Sequence, residues 1–195
     1  MVLLVAVVWA CHAPLLRAPY LADDEPLVLA AQQRVRQGRA AEYFGPGYWR
    51  EEHGATKGLF RPVREVVLGW ATLRWGWGPG AFHLLNLALH SANTLLLFWI
   101  VGRAASRRAG FWAALLFAVY PPHVEAVGFV KNFAELLSVA CALAALAGFM
   151  AAARPGGSRK RRLWLDGLAL ALFAMGLLAK ETACSLPAIL ALAAL

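Results

Sequence analysis

The chain has 195 residues, of which 61% are hydrophobic and only 15% charged, a composition that excludes an ordinary soluble globule and points to an all-α polytopic membrane protein. The formal net charge of +8 does not point to nucleic acid. Its excess sits in two short segments between apolar runs, Arg103, Arg107 and Arg108, then Arg154 and Arg159, Lys160, Arg161 and Arg162, and such segments mark membrane topology rather than a binding surface.

Met1 to Leu16 is apolar apart from His12. It lacks a basic leader and a small-residue cleavage pattern, so a retained first span is expected rather than a signal peptide. The stretch YLADDEPLVL, Tyr20 to Leu29, follows, with Asp23, Asp24 and Glu25 in a row. Adjacent carboxylates repel, and beside a low-dielectric phase at least one is expected to hold its proton unusually well, which suits a group that accepts a proton during chemistry. The alternative is local: Glu25 caps a helix that begins at Pro26.

Residues 22–80 read as a large extracytoplasmic loop with eight basic and seven acidic residues. It contains a helical piece, PLVLAAQQRVRQ, an aromatic and glycine patch, EYFGPGYWREEHG, whose FGPG (Phe44 to Gly47) reads as a turn, and RPVREVVLGWATLRWGWG from Arg61. Val63, Val66, Val67, Trp70 and Leu73 are spaced by threes and fours, which predicts an amphipathic helix lying in the interface, or one packed on a loop domain. Trp70, Trp75 and Trp77 fit an interfacial belt.

Further spans are expected at 81–101, 110–121, 132–153 and 163–179, and a sixth begins after Lys180 and Glu181, for about six in all. The sequence ends inside an apolar run, LPAILALAAL, and reads as the amino-terminal part of something longer. The third span is short, and Pro121-Pro122 is expected to break it, leaving HVEAVGFVKN as a turn at the outer surface. If both basic segments are cytoplasmic, so is the N-terminus, with Trp99, Trp112 and Trp164 at the inner boundary. Residues 22–80, His123 to Lys131 and Lys180-Glu181 then lie outside.

That topology gathers Asp23, Asp24, Glu25, Arg61, His83, His123, Glu125, Lys131, Glu135, Lys180 and Glu181 on one face, where ionisable groups are functional candidates. His83, Asn86, His90 and Asn93 stand at offsets of zero, three, seven and ten, one narrow helical stripe facing the bundle interior. Either interhelical hydrogen bonding or a site role accounts for it. Lys131 and Glu135, four apart, are expected to pair on one helix face. Lys180 and Glu181 read as snorkelling anchors or as a phosphate-binding edge. Cys11, Cys141 and Cys184 lie in or beside apolar runs, and no disulfide is expected. No phosphate loop, metal-ligand spacing or nucleophile motif is present, so neither a metal nor another cofactor is expected.

Taken in order, the acidic pair after the first span, LFRPV (Leu59 to Val63), FHLLNLALH (Phe82 to His90), LLFAVYPPHVEAV (Leu115 to Val127) and LLAKETACSLP (Leu177 to Pro187) resemble the GT-C membrane glycosyltransferases. The nearest branch is the transmembrane and tetratricopeptide-repeat proteins related to protein O-mannosyltransferases. The resemblance implies a polyprenyl-phosphate sugar donor bound at the outer face and inverting transfer, with mannose and Ser or Thr hydroxyls favoured. It implies that Asp23 and Asp24 match the first-loop acidic motif, with one of Asp23, Asp24 and Glu25 as the base. Arg61, His83 and Lys180 would lie on the donor-phosphate side, with Glu181, His123 and Glu125 shaping the site. The implied partners are the lipid-linked sugar, an acceptor protein and the bilayer. Full members carry more spans and often a repeat domain. The Ala- and Arg-rich composition suggests a bacterial inner membrane. Two competing classes remain, a transporter or channel subunit using the polar stripe, and a non-catalytic membrane protein presenting a partner-binding loop.

Overall fold

The computed structural model describes residues 1–45, 60–76 and 78–188. Residues 189–195 of the expected sixth span, Trp77, Leu59 of LFRPV and most of the aromatic and glycine patch lie outside the described residues. Those described form helices and short 3-10 turns, with no strand among them. Helix α1 (Val2–His12) runs into a turn at Ala13–Arg17, and α2 (Asp24–Arg36) is followed by another at Ala40–Phe44. Then come α3 (Pro62–Trp75), α4 (Pro79–Ala104), α5 (Arg107–Val119) and α6 (His123–Gly128). A turn at Val130–Asn132 leads into α7 (Phe133–Ala152), and α8 (Arg159–Ala179) ends in a turn at Glu181–Ser185.

Local chemistry sets several of these boundaries. Pro62 and Pro79 occupy first-turn positions of α3 and α4, where the missing N–H costs nothing. Ser106 and Ser158 cap α5 and α8 by accepting from the N–H groups of Ala109 and Arg161. Gly76 closes α3 with a φ of 79°, a left-handed conformation that glycine adopts without steric cost.

By length and composition, three helices among the described residues can cross a membrane: Pro79–Ala104, Val130–Ala152 and Arg159–Ala179. They coincide with the expected second, fourth and fifth spans. The expected first span forms as an 11-residue helix plus a turn. The expected third span differs more. Helix α5 has 13 residues, about 20 Å at 1.5 Å per residue against a hydrocarbon core of about 30 Å. Pro121 and Pro122 do end it, but HVEAVGFVKN is not a simple turn. It forms α6 and the turn after it, packed along α4.

Helix α4 is the centre of the bundle, with α1, α5 and α7 against it and α8 against α7, while α2 and α3 pair with each other. Leu27, Val28 and Ala31 of α2 and Leu68 and Ala71 of α3 join Phe82, Val130, Phe133 and Ala134 in one apolar cluster. This cluster holds the α2–α3 pair onto the end of the bundle where α4 and α7 begin. Small residues set the spacing elsewhere. A Cβ at Gly110 would lie 2.6 Å from the Phe98 carbonyl and 2.9 Å from Gly102 Cα, and one at Gly176 would lie 3.1 Å from Cys141 Cβ, so α5 meets α4 and α8 meets α7 at close range.

The α3 periodicity predicts the helix but not its packing. The inward face carries Arg64, Glu65, Leu68, Gly69, Ala71 and Thr72. Val63, Val66 and Val67 are half-buried, and Trp70 and Leu73 are exposed. One side of the helix therefore packs on α2, as in the second of the two expected arrangements, and leaves Trp70 and Trp75 exposed.

The α2–α3 contact gives a prediction. A Cβ at Gly69 would meet Val35 Cγ2 at 2.3 Å and the Ala31 carbonyl oxygen at 2.7 Å. Gly69→Ala is expected to cost about 1–3 kcal/mol through overpacking, whereas Gly78→Ala, which meets no atom within 4 Å, is expected to be close to neutral. Thermal unfolding of the two variants in one detergent is the check.

Candidate active site

The two ends of the bundle differ in character. Helices α4 and α8 meet the end carrying Arg103, Arg107, Arg108, Arg154 and Arg159–Arg162. The opposite end, where α4 and α7 start and α8 stops, carries both signs of charge, arranged in three pairs between distant segments and one between neighbours. Lys131 pairs with Asp23, Lys180 with Glu135, Arg61 with Glu181, and Arg64 with Glu65. The expected pairing of Lys131 with Glu135 along one helix is therefore incorrect. Lys131 sits on the turn before α7 rather than on the helix, so its amine reaches Asp23 instead, and Glu135 takes the lysine at the end of α8.

The three adjacent acids have three different environments, because successive residues at the start of a helix point about 100° apart. Helix α2 begins at Asp24, so Glu25 does not cap a helix starting at Pro26. Asp24 is fully buried. Its Oδ2 accepts from the Val130 N–H at 2.9 Å and the Leu21 N–H at 3.3 Å, and its Oδ1 accepts from the Lys131 N–H at 2.9 Å. Glu25 points away, into a cleft of about 530 Å³ between α2 and α3 lined also by Leu29, Gln32 and Arg36. Asp23 alone combines access with a cation. Its side chain is 37% exposed and its partner Lys131 32%.

The electrostatics separate the acids of this end further. The hydrogen bond from Lys131 holds the Asp23 carboxyl below the usual carboxylate range, outweighing partial burial, with the positive charges of Lys131 and Arg64 adding to it. Asp23 thus gives up its proton readily instead of retaining it. The acid whose proton affinity is raised is Glu65, where burial outweighs its Arg64 partner, and the sequence did not single it out. Glu181 is lowered, first by its hydrogen bond from Arg61. Tyr20, half-buried on the ring of Phe82 with centroids 6.5 Å apart, is pushed up to about 12 by burial and then by Asp24 and Glu25.

The remaining candidates divide. Arg61 donates from Nε to Glu181 Oε2 at 3.0 Å and from Nη2 to Oε1, a bidentate fork between residues 120 apart in sequence. His83 is fully buried, its Nε2 lying 3.1 Å from the Ala18 carbonyl oxygen. Its position is inside the shell that supports the charged cluster rather than in it. His123 is held by its Nδ1 on the Phe117 carbonyl at 2.7 Å and by ring contacts with His90 and Phe117. Glu125 is exposed on α6, and its backbone carbonyl accepts from Asn132 Nδ2 at 3.1 Å. Among the described residues no group of three or more His, Cys, Asp or Glu is disposed to hold a metal ion.

The stripe on α4 is buried as the spacing predicts. Asn86 Nδ2 donates to the carbonyls of Val127 (3.0 Å) and Phe129 (2.8 Å), and Asn93 Nδ2 to that of Leu136 (3.0 Å). The Val127 and Phe129 carbonyls are acceptors that an unbroken helix would have used itself, whereas that of Leu136 lies within α7. Ser138 Oγ does the same for the Lys180 carbonyl at 3.0 Å where α8 ends.

No family model matches the chain, and no solved structure matches it. Among curated proteins it is similar to the protein O-mannosyl-transferase Tmtc2 of Drosophila melanogaster, at 38% identity over 178 residues, covering 86% of this chain and 18% of that protein. It is similar also to mouse TMTC3, at 30% identity with 80% and 17% covered, and to human TMTC4, at 31% with 88% and 26% covered. The chain belongs to this family of protein O-mannosyl-transferases. It spans about a fifth of the length of the curated relatives it matches, 18%, 17% and 26% in these three. The relatives come from animals, which gives the expected bacterial inner membrane no support.

Two measurements test the site as a structure. Asp24→Asn replaces an acceptor that serves three N–H groups with one that turns an NH2 toward them, at an expected cost of about 1–3 kcal/mol, whereas Asp23→Asn is expected to leave thermal stability nearly unchanged. The pH dependence has a definite sign. A lowered carboxyl adds stability that is present above its unfolded pKa and is lost as pH falls through the folded one. The difference in unfolding temperature between wild type and Arg61→Gln is therefore expected to hold from pH 7 to about 5 and to shrink below about 4, the ordinary Glu range.

Proposed function

We propose that this chain is the amino-terminal part of a GT-C-type transmembrane domain in a membrane glycosyltransferase. Its reaction moves a sugar, mannose as the family name suggests, from a polyprenyl-phosphate donor to a Ser or Thr hydroxyl of an acceptor protein. The N-terminus is cytoplasmic, the protein crosses the membrane about six times within this sequence, residues 22–80 form a large extracytoplasmic loop, and further spans and a repeat domain complete the protein. The observation that supports the reading best is the position of Asp23. It is the acid of the triplet that pairs with a cation, Lys131, at the end of the bundle opposite the basic segments, the end that also carries the Arg61–Glu181 and Lys180–Glu135 pairs.

The chemistry suits these residues. A sugar phosphate carries its own leaving group, so the protein needs a base for the acceptor hydroxyl and cations for the departing phosphate. Asp23 takes the base role, because Asp24 has both oxygens engaged by backbone N–H groups and Glu25 faces a different cleft. Arg61 and Lys180 supply positive charge for the phosphate, with Glu181 and Glu135 orienting them; His83, His123 and Glu125 act in support. The isoprenoid tail lies in lipid beside the bundle. Neither a metal nor another cofactor is needed by this scheme. A transport role is less well supported, since Asn86 and Asn93 each donate their amide N–H groups to backbone carbonyls of neighbouring segments.

The test is transfer of labelled mannose from polyprenyl-phosphate mannose to membrane proteins, at matched expression. Asp23→Asn is expected to lower transfer by about 100-fold or more at unchanged abundance, and Lys180→Ala to weaken use of the donor. Full transfer by Asp23→Asn would remove Asp23 from the base role, and no transfer by the wild type from any lipid-linked sugar would remove the enzyme reading.

A further inference from the structure

Asp23 as it stands is a poor base. Its carboxylate is neutralised by the Lys131 ammonium, and Arg64 adds positive charge from α3, so in this arrangement it has little affinity for an acceptor proton. The cation responsible is mounted with care. Asp24 grips the N–H groups of Val130 and Lys131, fixing the backbone from which the lysine projects, and the amine lies 5.3 Å from the Phe129 ring centroid.

Lys131 also differs from its neighbours. Arg64 is buried against Glu65, with 6% of its side chain exposed, and Arg61 at 13% is held by two bonds to Glu181. Lys180 is 23% exposed and Lys131 32%. Lys131 is thus the most exposed of the four, and it holds its carboxylate through one flexible ammonium, which can change partners without breaking a fork.

We propose that Lys131 is a phosphate-binding residue that releases the base: in the resting protein it neutralises Asp23, and when the lipid-linked sugar phosphate arrives its ammonium turns to the phosphate and leaves Asp23 free. The inference rests on the glycosyltransferase reading given above. It accounts for an acid that is protected before the donor binds and competent afterwards. In the step itself, the acceptor O–H proton passes to an Asp23 carboxylate oxygen while the hydroxyl oxygen's electron pair forms the bond to the anomeric carbon. The bond from that carbon to the phosphate oxygen breaks, and its pair stays on the phosphate beside Lys131, which remains an ammonium throughout. The charged groups facing Asp23 are Lys131 from the turn before α7 and Arg64 from α3, with Asp24 and Glu25 beside it on its own segment.

The test uses the full chain in membranes, polyprenyl-phosphate mannose as donor, and Lys131→Met and Lys131→Arg at matched abundance. Lys131→Met is expected to raise the donor KM by about 10- to 100-fold, the worth of one charge-assisted hydrogen bond, and Lys131→Arg to recover much of that loss. The acid limb of kcat/KM, which reports the free protein, moves up toward the ordinary Asp range in Lys131→Met. The acid limb of kcat, which reports the donor-bound protein, stays in place, because Lys131 has already left Asp23 in the wild type. A fixed ion pair gives a different result: both limbs move together and the donor KM is unchanged, which would overturn the inference while leaving the enzyme reading intact. A wild type that transfers nothing overturns both.

Discussion

One carboxylate joins the two halves of the charged end of the bundle. Asp24, at the start of α2, accepts hydrogen bonds from the backbone of Val130 and Lys131 more than a hundred residues later. Those N–H groups belong to an irregular stretch between α6 and α7 that has no helical partners for them, and a buried N–H without an acceptor costs on the order of 1–3 kcal/mol. The interaction thus does two things at once. It completes the hydrogen bonding of a broken crossing and it sets the mount from which Lys131 meets Asp23.

The same need recurs through the bundle. Where α5 stops at Val119, the chain continues along α4 as a short helix and a turn, and non-helical backbone inside a membrane protein is tolerated only if its polar groups are met. Asn86 meets the Val127 and Phe129 carbonyls, His123 the Phe117 carbonyl, Asn132 the Glu125 carbonyl and Ser138 the Lys180 carbonyl. Polar side chains on α4 and α7 thus serve mainly as partners for interrupted backbone. His90 is placed differently, among rings, with His12 at 5.0 Å, His123 at 4.9 Å and Phe117 at 5.2 Å.

Much of this was legible in the sequence where one residue's role follows from its own periodicity. The apolar runs of α4, α7 and α8, the single stripe from His83 to Asn93, and the gathering of Asp23, Arg61, Lys180 and Glu181 at one end all follow from helical spacing and charge placement. What was illegible depends on pairs. Lys131 and Glu135 look like partners because four residues separate them, and only the turn at Val130–Asn132, held by Asp24, gives Lys131 to Asp23. The α3 helix was readable as amphipathic, yet Gly69, which lets Val35 and Ala31 approach, decides that Arg64 and Glu65 face inward. Likewise three consecutive acids give no sign of which will be buried, since that depends on where α2 begins.

Each ion pair that connects α2, α3 and the later helices joins segments made far apart in time during synthesis. Asp23 and Lys131 are 108 residues apart and Arg61 and Glu181 are 120, and loop closure over such distances becomes favourable only after the intervening helices have packed. A chain ending before residue 130 would carry Asp23 without its lysine and Asp24 with only the Leu21 N–H of its three backbone partners, so the charged end of the bundle is completed only by the later helices.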